Sequence, residues 1–189
     1  MLTSTSAAFE TPVATGVLLV LLAFAIGEDQ FRHRIPNALI LAGLILGLGL
    51  ASLGSGLSGC VYAAAGALVG CAALIPFYLL RGMGAADVKL MGATGAFLGP
   101  SGALLAAALA LVVGAVLAIA IVLWRLVEPR SRLETSAAGE VSAAWRAVAT
   151  VLVVRKERFP YAVAIATGTV LTLWLRGSLT SLMAALGLG

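Results

Sequence analysis

Charged residues are scarce in this 189-residue chain. Asp, Glu, Lys and Arg together make up 11% of it, whereas hydrophobic residues make up 61%. A soluble domain is about a quarter charged, so this chain has too few charges to cover a surface that faces water. The shortage excludes an ordinary soluble domain and indicates an integral membrane protein. Because the apolar runs are rich in Gly, Ala and Leu without sustained alternation, they predict helices and not barrel strands.

Histidine and cysteine are also scarce. The sequence has one histidine, His33, and two cysteines, Cys60 and Cys71, which form no CxxC pair. A zinc site is therefore not expected, and the cysteines are interpreted as small packing residues. The serines and threonines have no histidine partner, so a serine hydrolase triad has no support. We predict neither a metal nor a cofactor.

The basic residues do not indicate a nucleic-acid partner, although the net charge is +4. They lie in short segments between apolar runs, a placement that membrane topology explains better. No positive charge precedes the first apolar run, so a cleaved signal peptide is not expected.

The apolar segments predict an all-α fold, a polytopic helical bundle with about six transmembrane helices in a single membrane-embedded domain over residues 1–189. The predicted spans are 12–29, 37–53, 57–80, 87–98, 102–126 and 159–176. The span 87–98 is too short to cross a full bilayer alone. It is expected to begin inside the polar break before it, in a thinned or protein-lined region.

Turns and polar segments separate these spans. Gly54-Ser55-Gly56 predicts an uncharged turn, and Gly99-Pro100 ends the fourth apolar segment. The segment 127–158 predicts a polar loop, with a helix at the membrane interface over 141–154. Residues 177–189 are expected to form a frayed end or an interfacial cap.

The basic residues predict the orientation of the bundle. If the spans alternate, 11 of the 12 Lys and Arg fall on one face, and only Arg176 lies on the other. Cytoplasmic loops are enriched in Lys and Arg, so the basic face is predicted to be cytoplasmic. Six spans then place both termini outside.

Aspartate is the rarest acidic residue, with only Asp29 and Asp87 in the whole chain. Asp29 ends the first predicted span and Asp87 opens the fourth, so both are expected at the cytoplasmic membrane boundary. Two close carboxylates do not both ionise easily, and the resulting division into one acid and one carboxylate suits an aspartic protease. However, each aspartate also fits a structural role, as a helix cap or a partner of a nearby basic residue. Spacing alone leaves the two interpretations even.

Three sequence segments resemble the prepilin peptidase family of membrane aspartic proteases. In the first, an aspartate precedes basic residues and then Ile-Pro-Asn, as in Asp29-Gln30-Phe31-Arg32-His33-Arg34-Ile35-Pro36-Asn37. The second is similar to the family's Gly-x-Gly-Asp-Val-Lys-Leu motif and here is Gly84-Ala85-Ala86-Asp87-Val88-Lys89-Leu90. A third segment, beginning Phe159-Pro160-Tyr161, resembles the family's final span. The likeness covers about residues 12–176.

The resemblance implies a function and a site. The family removes short basic leaders from type IV prepilins at the cytoplasmic face of the bacterial inner membrane, so prepilins and pseudopilin-like proteins would be the substrates. Carried over by position, Asp29 and Asp87 would be the catalytic pair. The chain has none of the paired CxxC motifs of the larger, methylating relatives. It therefore looks like the short, peptidase-only branch found in tight-adherence (Flp-type) pilus systems.

One residue departs from the family pattern. The glycine that precedes the motif aspartate in the family is Ala86 here. Glycine allows a positive φ and a close backbone approach, and alanine is unfavourable in both situations. If the active loop needs that geometry, Ala86 impairs the enzyme. If the local backbone is ordinary helix, the change is mild.

Other residues are expected to support the site. Lys89 is expected to tune the charge of Asp87 or to anchor its helix at the lipid surface. Pro36 and Asn37 are expected to begin the second helix, and Pro160 and Tyr161 to line a substrate groove or simply begin the last helix. The supporting or substrate-binding candidates are therefore Gly84, Ala86, Lys89, Pro36, Asn37, Pro160 and Tyr161.

Two rival functions remain open at this point. One is an inactive relative that binds prepilin or belongs to the pilus assembly machinery. The other is a small transporter with the two aspartates as a proton relay. A transporter is disfavoured because both carboxylates lie at one face and the sequence has no inverted repeat. The basic loop could also contact anionic lipids, although topology alone explains its charge.

Overall fold

The computed structural model describes residues 11–32, 36–80, 82–127 and 161–186, and every element within these ranges is an α-helix. Five helices follow one another within these described ranges. They are α1 (Pro12–Arg32), α2 (Asn37–Leu79), α3 (Ala85–Val127), α4 (Tyr161–Leu175) and α5 (Ser178–Ala185).

The first helix begins as the sequence predicts, with Pro12 in its first turn. The backbone N–H of Ala14 donates to the Oγ1 atom of Thr11 at 3.3 Å, so Thr11 caps the helix. Proline is tolerated at this position because its missing N–H would have no partner within the helix. The helix extends to Arg32, three residues beyond the predicted end at 29. The helix therefore continues into the polar segment that follows the first predicted span.

Helix α2 is interrupted within the predicted turn. Ser55 has φ −136° and ψ 15°, and Gly56 has φ 62° and ψ −142°. A straight helix of 43 residues would be ~65 Å long, about twice the ~30 Å hydrocarbon thickness of a bilayer. The break divides this helix into two parts, each of about the length that a single crossing requires.

Helix α3 is interrupted in the same way at Gly99, before Pro100. Gly99 has φ 68° and ψ 176°, a conformation that is essentially confined to glycine. The guanidinium of Arg176 donates to the carbonyl oxygen of Leu98 at 3.3 Å and to the hydroxyl of Ser101 at 2.8 Å. A side chain that follows α4 thus satisfies polar groups on both sides of this break.

Glycine allows α2 and α3 to approach closely. A Cβ atom on Gly66 would overlap the carbonyl oxygen of Gly95, and a Cβ atom on Gly95 would overlap that of Gly66. Farther along the two helices, a Cβ atom on Gly70 would lie 2.6 Å from the carbonyl oxygen of Met91. Small residues at helix contacts are typical of membrane bundles, where packing replaces the hydrophobic effect as the main attraction between helices.

The buried core is apolar and draws on α1, α2, α3 and α4, with Leu18, Leu74, Met91 and Ile165 among its members. Large apolar side chains also remain exposed on these helices. A soluble protein seldom exposes so much apolar surface, whereas lipid solvates it favourably.

The predicted fold class is confirmed. Within the described ranges, three helical stretches are long and apolar enough to cross a membrane: Pro12–Gln30, Asn37–Leu79 and Ala85–Ile121. The shorter apolar helix Tyr161–Leu175 accompanies them. The number of crossings and the side of each terminus stay predictions.

Residues 177–189 were expected to form a frayed end or an interfacial cap, and the described part, 177–186, is not frayed. Ser178–Ala185 form α5, which packs against α1 and α4. Gly177 has φ 75°, and this left-handed residue turns the chain between α4 and α5. Ser178 is buried at the start of α5. Tertiary packing thus orders a segment whose weak hydrophobicity suggested fraying.

The chain divides into two units. The first comprises Met1–Val113 and Pro160–Gly189, and it contains every contact discussed below. The second, Gly114–Phe159, is described only over 114–127, the last part of α3. The predicted interfacial helix at 141–154, nearly all of the predicted loop, and Pro160 lie outside the described residues.

Candidate active site

Asp87 lies in the first turn of α3, with its side chain half-buried. Its Oδ2 atom accepts a hydrogen bond of 3.0 Å from the backbone N–H of Gly84. In return, the backbone N–H of Asp87 donates to the carbonyl oxygen of Gly84 at 3.2 Å. This exchange resembles the carboxylate half of a capping box, and an acidic residue in the first turn also complements the helix dipole. The structural role considered for Asp87 is therefore present, and it holds the carboxylate in a defined orientation.

Asp29 lies in the last turns of α1 and is also half-buried. Its negative charge acts on Asp87, so the fold brings the two carboxylates within electrostatic reach of each other. These are the only two aspartates in the chain, and they come from the end of one helix and the start of another. Repulsion between two nearby carboxylates disfavours the state in which both are ionised.

Lys89 and Asn37 connect the two sequence motifs. The ammonium group of Lys89 donates a hydrogen bond of 3.3 Å to the Oδ1 atom of Asn37. Asn37 is the first residue of α2, and Pro36 before it is extended, with φ −62° and ψ 135°. The helix therefore begins where Ile35-Pro36-Asn37 predicts. The sequence suggested that Lys89 tunes Asp87 or anchors a helix, and did not suggest this contact.

Ala86 has helical backbone geometry, since α3 begins at Ala85 and departs from helical dihedrals only at Gly99. Its side chain is half-buried and packs against the apolar core. Alanine is the residue most favourable to a helix, and glycine is about 1 kcal/mol less favourable. Of the two expectations for Ala86, the structure matches ordinary helix, the case in which the substitution is mild.

Gly84 precedes the helix at a crowded position. A Cβ atom there would lie 3.2 Å from the Oδ2 atom of Asp87, closer than most side chains tolerate. Glycine thus leaves room for the carboxylate to accept the hydrogen bond from its backbone.

Tyr161 is the first residue of α4 and reaches the same region. Its hydroxyl donates a hydrogen bond of 2.6 Å to the carbonyl oxygen of Gly82, and its side chain interacts electrostatically with Asp87. The sequence suggested a place for Tyr161 in a substrate groove and did not suggest this contact. No local pattern encodes it, because the two residues are 79 positions apart.

Among the described residues, no group of three or more His, Cys, Asp or Glu side chains is arranged to hold a metal ion. Within these ranges, the chemistry at the site is that of two carboxylates, a lysine, a tyrosine and backbone amides.

Comparison with known proteins identifies the family. The sequence model of the type IV leader peptidase family matches residues 16–119, more than half of the chain. The match includes Asp29, Asn37 and the segment from Gly84 to Lys89, whereas Tyr161 lies beyond it. No curated protein and no solved structure matches the chain. The sequence match and the membrane-helix fold agree, and the chain belongs to the type IV leader peptidase family.

Proposed function

We propose that this protein is a membrane aspartic endopeptidase that removes the short basic leader from Flp-type prepilins at the cytoplasmic face of the bacterial inner membrane. Family membership makes it a peptidase of the type IV leader class, which acts on prepilins. The proposal adds the aspartic mechanism, the two catalytic residues and the Flp-type substrate. It also takes residues 1–189 as a multi-pass membrane peptidase domain.

The observation that carries the proposal is that Asp29 and Asp87, from two different helices, lie within electrostatic range of each other. The chain has no other aspartate, yet the ends of two different helices bring these two together. Either carboxylate alone fits a structural role, as the Gly84 contact of Asp87 demonstrates. Helix capping does not account for the proximity of the second carboxylate, whereas a proton-sharing catalytic pair requires it.

The pair supplies the chemistry of peptide hydrolysis. The ionised carboxylate removes a proton from water as the water oxygen attacks the carbonyl carbon of the scissile peptide. The protonated aspartate donates a hydrogen bond to the carbonyl oxygen, which carries the developing negative charge. The aspartate that took the proton from water then gives it to the peptide nitrogen, so the C–N bond breaks, the nitrogen leaves as an amine and the leader keeps a new carboxyl group.

The position of the pair suits a prepilin. Asp29 and Asp87 lie near the ends of apolar helices, at the predicted boundary between lipid and cytoplasm. A pilin helix held in the bilayer would present the leader that precedes it at this level. A substrate with a hydrophobic helix and a short polar leader therefore fits the site better than a soluble peptide does.

Ala86 was one reason to consider the alternative of an inactive prepilin-binding protein. Because Ala86 has ordinary helical geometry, the loss of the motif glycine introduces no strained backbone beside Asp87. The structure thus offers no reason for inactivity at this position.

Cleavage of a Flp-type prepilin by the purified protein in liposomes tests the proposal, with wild type compared with Asp29→Asn and Asp87→Asn. Each variant keeps the shape of the side chain but cannot exchange a proton. We expect kcat to fall by at least about a hundredfold in both, a typical contribution of acid–base catalysis.

Glu28→Gln is the matched control, because it neutralises the neighbouring carboxylate on the same helix. This variant is expected to cleave at close to the wild-type rate. Full activity in both aspartate variants, at wild-type protein levels, would exclude the aspartic mechanism.

A further inference from the structure

The connection between α2 and α3 leads directly into Asp87. Hydrogen bonds join it to the end of α2 and to the start of α3. The backbone N–H of Gly82 donates to the carbonyl oxygen of Phe77 at 2.9 Å. The backbone N–H of Gly84 donates to the Oδ2 atom of Asp87 at 3.0 Å. Both contacts join residues close in sequence, so they shape the connection without tying it to the rest of the bundle.

Tyr161 supplies a contact of a different kind. Its hydroxyl donates to the carbonyl oxygen of Gly82 at 2.6 Å, near the optimum for an O–H donor. Since Tyr161 begins α4, this bond joins the connection to a helix that is distant in sequence. The residue that follows, Ala162, is fully buried, so the backbone from which the tyrosine extends is well anchored.

The geometry defines what the tyrosine does near the carboxylate. The ring is half-buried and close enough to Asp87 for an electrostatic interaction. Its hydroxyl proton, however, is directed at the carbonyl oxygen of Gly82. The hydroxyl therefore acts on the backbone that precedes Asp87.

We propose that Tyr161 is a positioning residue for Asp87. Its bond to Gly82 holds the connection, so the N–H of Gly84 stays directed at the carboxylate and fixes its orientation. This inference depends on the proposed function, in which Asp87 is catalytic. It gives Tyr161 a role in the reaction without contact with the reacting atoms.

Tyr161→Phe removes the hydroxyl and keeps the ring. A more mobile Asp87 is correctly oriented for less of the time, so we expect kcat for prepilin cleavage to fall about fivefold, within the range of one hydrogen bond. KM should change by less than about twofold, because the hydroxyl is not expected to bind substrate.

Tyr62→Phe is the matched control, since it deletes a hydroxyl beside Gly99, at the far end of the first part of α3. It should leave kcat close to that of wild type. An unchanged kcat in Tyr161→Phe would overturn the inference, and so would a rise in KM alone, which would indicate that the hydroxyl contacts substrate.

A second measurement does not depend on turnover. Hydrogen exchange of the backbone amides at 82–87 should accelerate several-fold in Tyr161→Phe and stay unchanged in Tyr62→Phe, because only the first variant loses the tie to α4. Equal exchange in both variants would contradict the inference even if kcat fell.

The aspartate variants, measured in the same assay, separate the two proposals. If Asp29→Asn and Asp87→Asn are active, the proposed function fails and the positioning role fails with it. If both are inactive while Tyr161→Phe has wild-type kcat and exchange, only the positioning role fails.

Discussion

At the scale of single residues, the site depends on small backbone details around Asp87. Gly84 leaves space for the carboxylate and donates its N–H to it. Ala86 has helical backbone geometry and packs against the core. The residue that departs from the family pattern is therefore well accommodated at this position. Alanine in place of glycine would impair activity in a strained loop and would be mild in a helical turn. The backbone at Ala86 is a helical turn.

Ala86→Gly should therefore keep kcat within about twofold of wild type. It should lower the free energy of unfolding by up to about 1 kcal/mol, because glycine is less favourable than alanine in a helix. Prepilin cleavage and thermal unfolding measure the two effects. Ala85→Gly, an exposed neighbour in the same turn, is the control for helix propensity. A large gain in kcat confined to Ala86→Gly would show instead that Ala86 impairs the enzyme.

At the scale of helices, contacts between backbones determine how α2 and α3 pack. Gly66 and Gly95 face each other so closely that neither position has room for a methyl group. These contacts lie along the first part of α3, the same part whose first turn carries Asp87. Close packing of the two helices thus holds the start of α3 in place.

Gly66→Ala should separate the helices and destabilise the protein by about 1–3 kcal/mol, a typical cost of overpacking. Because the added methyl meets backbone and not a flexible side chain, adjustment requires movement of a whole helix. Gly49→Ala is the matched control on α2, since a Cβ atom there meets nothing within 4 Å. Thermal unfolding in detergent should show a lower midpoint for Gly66→Ala only. Equal midpoints would contradict the close approach of α2 and α3.

Gly99→Ala should be destabilising for two reasons, the positive φ of the residue and a steric overlap. The residue has φ 68°, and a side chain there would also overlap the ring of Tyr62. The backbone term alone is about 1–3 kcal/mol. Gly56→Ala, with φ 62° and nothing within 4 Å of its Cβ position, carries the backbone term without the overlap and should unfold at a higher temperature than Gly99→Ala. The reverse order would show that the Tyr62 contact is unimportant.

At the scale of the whole molecule, charge placement predicts orientation. Eleven of the 12 Lys and Arg fall on one face if six spans alternate, which makes that face cytoplasmic. The breaks in α2 and α3 fall where the sequence separates successive spans. Orientation matters for function because a leader peptidase must meet its substrate on the side where the leader lies.

Reporter fusions test this topology in bacteria. Alkaline phosphatase, which is active only outside the cytoplasm, should be active when fused after Gly56 or at the C-terminus. It should be inactive when fused within 127–158, where green fluorescent protein should instead be fluorescent. Activity on both sides of one predicted span would refute the six-span count.

Local sequence determined much of this protein. Low charge and long apolar runs established a helical membrane protein, because a bilayer requires each spanning segment to satisfy its own backbone. Gly54-Ser55-Gly56 and Gly99-Pro100 marked the breaks in α2 and α3, since glycine and proline act on the backbone where they stand. The placement of Asp29 and Asp87, each at the end of an apolar run, also identified the candidate pair.

Only the tertiary structure decided which distant groups meet. Three contacts join residues that are far apart in sequence: the bond from Tyr161 to Gly82, the contact of Lys89 with Asn37 and the close approach of Gly66 to Gly95. No local period encodes them, because they follow from how helices pack. The same holds for α5, whose order comes from packing against α1 and α4 and not from its own weak hydrophobicity.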